Sequence, residues 1–151
     1  MKTKTATLPF GEDKGKKFSV TTFPVYTEYL FVHEAIHYFG QGTLNTDEWQ
    51  ATVSISGLID FFYKSFGGQL PESDNPEHDM RIMLFKAFRF LSPPHFKILS
   101  DKLLSTVLFI NDAGQSVDFL LETQITDHRN IMFLVEEAIF LHLDFYKGVD
   151  H

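Results

Sequence analysis

The sequence contains no cysteine among its 151 residues. Without thiols the chain forms no disulfides, has no cysteine nucleophile and offers no thiolate to a metal ion. A metal site in this chain would therefore have to use the side chains of histidine, aspartate or glutamate.

Positive charge is also scarce. Thirteen lysines and arginines stand against 20 aspartates and glutamates, which gives a formal net charge of −7. The longest basic cluster is the short run from Lys14 to Lys17. Because proteins bind a phosphate backbone through clustered positive charge, we expect no nucleic-acid partner. An acidic surface instead favours a protein partner, in particular a basic one.

Long apolar runs are missing as well. A transmembrane helix needs about 18 consecutive apolar residues, and charged residues such as Glu34, Asp60, Lys86 and Glu136 interrupt every candidate. The N-terminal stretch Met1–Lys4 is basic, but no apolar segment of the kind found in secretory signals follows it. We therefore expect a cytoplasmic protein without membrane contact.

Phenylalanine is abundant, with 17 residues beside 5 tyrosines and 1 tryptophan. Since 44% of the residues are hydrophobic, a chain of this length can bury a sizeable core without metal ions or disulfides. We predict a single domain over residues 1–151, with a core rich in aromatic side chains.

The hydrophobic spacing predicts mainly helix. Residues 1–22 alternate weakly around a turn-rich segment, which predicts a β-hairpin or an extended arm, and Pro9 confines its first run to a sheet edge. From residue 23 to 148, helical spacing and capping residues predict a bundle of about five helices. The predicted fold class is mainly α, a single-domain helical bundle with an N-terminal arm or hairpin. The predicted helices cover about 24–40, 45–66, 75–91, 93–110 and 127–147, with a short one at 116–122.

The first predicted helix has two chemically different sides. At 100° per residue, its predicted core stripe comprises Val25, Tyr29, Val32, Ile36 and Phe39. The opposite side groups Tyr26, Thr27, Leu30, His33, Glu34 and His37.

That opposite side carries the sequence His33-Glu34-Ala35-Ile36-His37, an HExxH motif. Two imidazoles at i and i+4 lie one turn apart on a helix, so both can reach one metal ion, and the adjacent carboxylate can polarise a bound water. The motif resembles that of the zincin metallopeptidases over about a dozen residues. The resemblance implies Glu34 as general base and His33 and His37 as zinc ligands.

A third zinc ligand distinguishes the branches of that family. Thr43 stands where the metzincin branch has its third histidine, so the metzincin pattern is not met. Similarity to the gluzincin branch implies Glu48, at the start of the following predicted helix, as the third ligand. Asn45 lies three residues before Glu48, however, and this spacing also fits a helix-capping pair.

Other acidic and histidine residues have simpler explanations. Glu136 and Glu137, with His142 and Asp144, could surround a metal ion, but we expect them to form an exposed acidic face. Three further histidines each fall in the first turn of a predicted helix, where capping and solvent exposure explain them; they are His78, His95 and His128.

Two hypotheses for function follow. The first is a small acidic helical protein that acts by protein–protein interaction, as a regulatory, inhibitor or immunity-type module without a cofactor, and it is compatible with a homo-oligomer. The second is a minimal zinc-dependent metallopeptidase that uses Glu34 as its base. A chance HExxH arises in roughly 2% of chains of this composition, so the motif does not decide between them.

Overall fold

The structure is a computed structural model and describes residues 1–40, 52–62 and 76–143, of which Pro76 is described by its backbone alone. The described residues form four β-strands and six α-helices. The strands are β1 (Thr3–Thr7), β2 (Lys17–Thr21), β3 (Val107–Ile110) and β4 (Ser116–Asp118). The helices are α1 (Val25–Phe39), α2 (Ile55–Phe62), α3 (Pro76–Arg89), α4 (Pro93–Leu104), α5 (Leu121–Gln124) and α6 (His128–Leu141), and a 3-10 turn spans Gly11–Asp13.

The prediction of a mainly α helical bundle is wrong. The fold is a helix-dominated mixture of α and β structure with a four-stranded antiparallel sheet in the order β1-β2-β3-β4. The N-terminal hairpin is present, with β1 at the sheet edge as Pro9 suggested. The second hairpin was missed because the short apolar run of β3 fits a helix end as well as a strand. Ser116–Asp118, predicted as helix, is the strand that pairs with β3.

The chain divides into two compact units. One contains Met1–Pro24 and the chain from Ser100 onward, and the other contains Val25–Leu99. The second unit is thus inserted between β2 and β3, which are neighbours in the sheet of the first unit. The prediction of one domain over residues 1–151 stays a prediction.

One face of the sheet is apolar and packs in the first unit. Ala6, Phe18 and Phe109 lie side by side across β1, β2 and β3, and Phe18 is fully buried. Its ring centroid lies 5.2 Å from that of Phe109 and 5.3 Å from that of Phe119. Helix α6 contacts β1 and β2. The opposite face carries exposed threonines, so the alternation along β1 separates core from solvent.

Asp13 joins the first hairpin to the start of α6. Its carboxylate is fully buried and accepts hydrogen bonds from the Thr126 amide at 2.9 Å, the Thr126 hydroxyl at 2.8 Å and the Asp127 amide at 2.9 Å. The side-chain amide of Asn130 donates at 3.1 Å and the Lys16 ammonium at 3.2 Å. Burial alone would raise the pKa of Asp13, but the hydrogen bonds from Asp127, Thr126 and Asn130 hold it well below its usual range.

Asp127 caps the start of α6. Its side chain accepts the Arg129 amide at 3.0 Å, while the hydroxyl of the neighbouring Thr126 donates to Asp13. The predicted end near Lys147 lies outside the described residues.

In the second unit, α1 packs against α2, and α2 packs against α3. The Phe39 ring meets Phe62 edge-on at 4.7 Å and Phe88 at 5.7 Å between centroids. The Glu28 carboxylate of α1 accepts the Ile55 amide, the first of α2, at 2.8 Å. Because that amide has no partner within its own helix, this bond fixes where α2 begins relative to α1.

The helix starts at Pro76 and Pro93 agree with the sequence, which has proline at each first turn. Helix α4 ends at Leu104 rather than at Ile110. Within the described ranges, no helix combines the length and the apolar character that crossing a bilayer requires.

The buried carboxylate of Asp13 yields a stability prediction. Asp13→Asn places an amide group against several N–H donors, and we expect it to lower the free energy of unfolding by about 2–4 kcal/mol near neutral pH. Urea denaturation measures this. Asp112→Asn, the same change at an exposed turn residue, is the matched control and should leave stability unchanged.

The same substitution should change the acid dependence of stability. A carboxylate with a lowered pKa in the folded state stabilises the fold above its unfolded-state pKa of about 3.9, and this contribution is lost as pH falls from there through the folded pKa. The difference in the free energy of unfolding between wild type and Asp13→Asn should therefore be constant above about pH 5 and shrink below about pH 4. A difference that is the same at acid and neutral pH would contradict this assignment.

Candidate functional site

Helix α1 buries one face and exposes the other. The buried residues are Phe31, Val32, Ala35 and Phe39. The predicted core stripe was wrong at its N-terminal end, because Val25 is 86% exposed and Tyr29 is 46% exposed. The four buried residues from Phe31 to Phe39 are spaced at i, i+1, i+4 and i+8. This spacing defines a narrower apolar stripe than the predicted one, and it does not include Val25 or Tyr29.

The exposed side of α1 is unusually apolar for a surface. Tyr26 is 71% exposed and Leu30 is 44% exposed, in addition to Val25 and Tyr29. His33 and His37 continue the same side toward the C-terminal end of the helix and are also exposed. We call this set the outer face of α1: Val25, Tyr26, Tyr29, Leu30, His33 and His37. The prediction that Tyr26, Leu30 and the two histidines share a side opposite the core is confirmed.

A shallow pocket of about 350 Å³ opens beside the two histidines. Its lining combines α1 with the residues that precede α2, namely Tyr29, His33, Ile36, His37, Thr52 and Val53. The Tyr29 and His33 rings are stacked, with their centroids 6.4 Å apart. Both imidazoles of the HExxH motif therefore border one cavity on the surface.

Glu34, the glutamate of the HExxH motif, contacts Tyr38 of the same helix. The Tyr38 hydroxyl donates to Glu34 Oε1 at 2.9 Å, and the Tyr38 ring stacks on His95, with centroids 3.9 Å apart and planes at 9°. The hydrogen bond with Glu34 raises the pKa of Tyr38, and burial adds to this effect. His95 is half-buried in this stack, so capping and solvent exposure do not explain it fully, as they had been expected to.

The predicted zinc ligands are brought together only in part. His33 and His37 lie one turn apart on the outer face, while Glu48 lies outside the described residues. Among the residues that the structure describes, no group of three or more histidine, aspartate or glutamate side chains converges on a possible metal position. The ligand set His33, His37 and Glu48, and the role of Glu34 as base, stay predictions.

The acidic pair on α6 is not an exposed face, contrary to the prediction. Glu136 is 6% exposed and Glu137 is 4% exposed. The Lys4 ammonium, on the core side of β1, lies 2.9 Å from Glu137 Oε2. Local sequence patterns do not reveal this pair, because its members are separated by 133 positions.

His142 also has a structural role in the first unit. Its Nε2 accepts the Phe23 amide at 2.8 Å, and its Nδ1 lies 2.8 Å from the Ala138 carbonyl oxygen. Because a carbonyl only accepts, Nδ1 carries the proton and the ring is neutral. Asp144, the other member of that predicted cluster, lies outside the described residues.

Comparison with known proteins adds no relative to this picture: no protein-family model, curated protein or solved structure matches the chain.

The buried ion pair yields a second stability prediction. Lys4→Met removes the ammonium that lies 2.9 Å from the buried Glu137 carboxylate, and we expect the free energy of unfolding to fall by about 1–3 kcal/mol, since Lys4 is partly exposed. The double variant Lys4→Met/Glu137→Leu should recover most of that loss, because two apolar side chains replace the pair.

Urea denaturation of the single and double variants tests the ion pair. Lys17→Met, on the exposed side of β2, is the control and should be nearly neutral. A double variant no more stable than Lys4→Met alone would contradict the role assigned to the pair.

Proposed function

We propose that this chain is a non-enzymatic protein-binding module that contacts its partner through the outer face of α1. The observation that carries the proposal is the run of four exposed apolar residues at i, i+1, i+4 and i+5 on one helix side. Single exposed apolar residues are common on protein surfaces, whereas contiguous ones mark contact sites.

The chemistry of these residues suits a protein partner. Tyr26 and Tyr29 each offer a large apolar ring and a hydroxyl that can still find a hydrogen-bond partner in a contact, and tyrosine is enriched at interface centres. Fully burying an exposed leucine side chain contributes about 1.5–3 kcal/mol, and a partner that covers the 44% of Leu30 that is exposed would gain roughly half of that. A few such side chains are enough to dominate a contact of ordinary size.

The way α1 is held supports this use of its outer face. Its inner face is fixed by Phe31, Val32 and Phe39, and the Glu28 carboxylate ties it to α2. An interaction surface on a rigid helix loses little conformational entropy when it binds. The formal charge of −7 favours a partner with basic groups around its apolar contact, because opposite charges speed encounter.

A comparison of bound proteins tests the proposal. Tagged wild type and the variant Tyr26→Ser/Leu30→Ser are used to retain proteins from the cells in which the chain is native. We expect at least one protein to be retained by the wild type and lost with the variant. The variant should stay folded and lose only about 1 kcal/mol or less, because Tyr26 is mostly exposed and Leu30 is about half exposed.

The control is Lys17→Ser on the exposed side of β2, which should retain the same protein. If the wild type and Tyr26→Ser/Leu30→Ser retain identical sets of proteins, the outer face of α1 is not the contact site and the proposal fails.

A second candidate function is zinc binding, with peptidase activity as its extension. The observation that favours it is that His33 and His37, one turn apart, both border the same surface pocket. Imidazole is a good ligand for Zn²⁺, and two of them at i and i+4 can hold one ion with water in the remaining positions. Glu34 Oε1 already accepts the Tyr38 hydroxyl, so a role as base would fall to Oε2 or require that bond to break.

Calorimetric titration with Zn²⁺ tests this candidate. Binding should weaken at least about tenfold in His37→Ala, which leaves a single imidazole, and should persist in Glu34→Gln. His128→Ala, an exposed histidine on another helix, is the control and should bind like the wild type. Equal affinity for wild type and His37→Ala would exclude a site on α1, and zinc binding without peptide hydrolysis would exclude the peptidase.

A further inference from the structure

Charge is segregated along the middle of the chain. Between Met80 and Ser100 there are four basic residues and no acidic one, whereas between Leu103 and Asp127 there are four acidic residues and no lysine or arginine. The basic residues are Arg81, Lys86, Arg89 and Lys97, and the acidic residues are Asp112, Asp118, Glu122 and Asp127. A chain with a net charge of −7 therefore contains a basic segment that is followed in the sequence by an acidic one.

The positive region forms a surface on α3. Phe85 is 46% exposed and Phe90 is 71% exposed, and the exposed Lys86 and Arg89 lie on the same side of the helix at i+1 and i+4. The Arg89 guanidinium carbon lies 4.9 Å from the centroid of the Phe85 ring, a cation–π contact. We call these four residues the basic aromatic surface.

The negative region forms a surface at the second hairpin. Leu108 is 41% exposed and faces the exposed Asp118 across the β3–β4 pair. Leu120 is 56% exposed, and Glu122 in the following helix α5 is exposed as well. Strand β4 is an edge of the sheet, so nothing in the sheet lies beyond it. We call Leu108, Asp118, Leu120 and Glu122 the acidic aliphatic surface.

We propose that the basic aromatic surface of one copy of this chain binds the acidic aliphatic surface of a second copy. Each surface carries two large apolar side chains and two charges, and the charges are of opposite sign. The apolar side chains supply affinity on contact, and the opposite charges set which surface meets which. Aromatic residues and arginine are enriched in protein interfaces, which favours Phe85, Phe90 and Arg89 as contact residues.

The two surfaces are different, so the contact is head-to-tail. In such a contact one copy contributes its basic aromatic surface and its neighbour contributes its acidic aliphatic surface. Each copy of the pair therefore keeps one unused surface, which can bind a further copy. The average mass should therefore rise with protein concentration, either to that of a closed ring or without a fixed limit. Because the charges are on the surface and are screened within about 8–10 Å at physiological salt, association should also weaken as salt is added.

The proposal does not depend on the outer face of α1. Its residues lie in and directly after α3, in the second hairpin and at the start of α5. Variants on α1 such as Tyr26→Ser/Leu30→Ser should therefore associate like the wild type. Failure of the partner-binding proposal and failure of the self-association proposal are therefore distinguishable.

Sedimentation velocity of the full chain, at low and high salt and over a range of concentrations, tests the proposal. The wild type should show an average mass above that of the monomer at low salt, and this mass should fall toward the monomer in high salt. The charge-reversal variants Lys86→Glu/Arg89→Glu and Asp118→Lys/Glu122→Lys should each associate at least about tenfold more weakly, because like charges then meet.

Mixing the two charge-reversal variants gives the sharpest result. The first variant keeps a native acidic aliphatic surface and the second keeps a native basic aromatic surface, so the mixture should associate although neither does alone. Lys2→Glu/Lys14→Glu makes the same change in net charge at exposed residues before β1 and in the turn of the first hairpin, away from both surfaces, and should associate like the wild type.

Three results would overturn the proposal. They are a wild type that stays monomeric at every concentration at low salt, a mixture of the two reversed variants that stays monomeric, and a control variant that loses association as strongly as Lys86→Glu/Arg89→Glu.

Discussion

The first unit depends on the hydrogen bonds to the buried carboxylate of Asp13. The carboxylate binds the start of α6 through Thr126, Asp127 and Asn130, more than one hundred positions further along the chain. Lys16 adds to the same junction, because its ammonium donates both to Asp13 and to the Gln124 carbonyl. These bonds connect the two ends of a unit that is interrupted in sequence by Val25–Leu99. Since they satisfy a buried charge, their loss would leave the carboxylate without compensation.

Helix α1 shows how one element can serve packing and function at once. Phe31, Val32 and Phe39 fix it from within its own unit, and Glu28 and Tyr38 use polar groups at its flanks to contact α2 and His95. The outer face takes no part in these contacts of the core. Its apolar residues are therefore available for an interaction, and its histidines for a metal ion, without disturbing the packing that holds the helix.

Local patterns were the part of the fold that the sequence could predict. Helical spacing located α1 between Pro24 and Gly40, and proline at the first turn located the starts of α3 and α4. The hairpin after Ile110 could not be predicted in the same way, because a four-residue apolar strand has no distinctive period and its partner β2 lies beyond an inserted unit. Local sequence patterns do not indicate which strands pair when the strands are so far apart in the sequence.

The candidate site was predictable to a similar degree. The side of α1 that holds His33 and His37 follows from helical geometry, and the structure places both there. The exposure of Val25 and Tyr29 was missed, because apolar residues at helical spacing usually belong to a core. The ion pair of Lys4 with Glu137 was missed for a different reason, since only the folded sheet brings β1 to α6.

Amide hydrogen exchange on the chain alone and bound to the partner that it retains is the most direct test of the central claim, that the outer face of α1 is the contact site. In the chain alone, the amides of Phe31–Phe39 should already exchange slowly, as expected for a helix with a buried inner face. On binding, added protection should appear in Val25–Leu30. Protection that appears in the sheet or in α6 while Val25–Leu30 is unchanged would contradict the account.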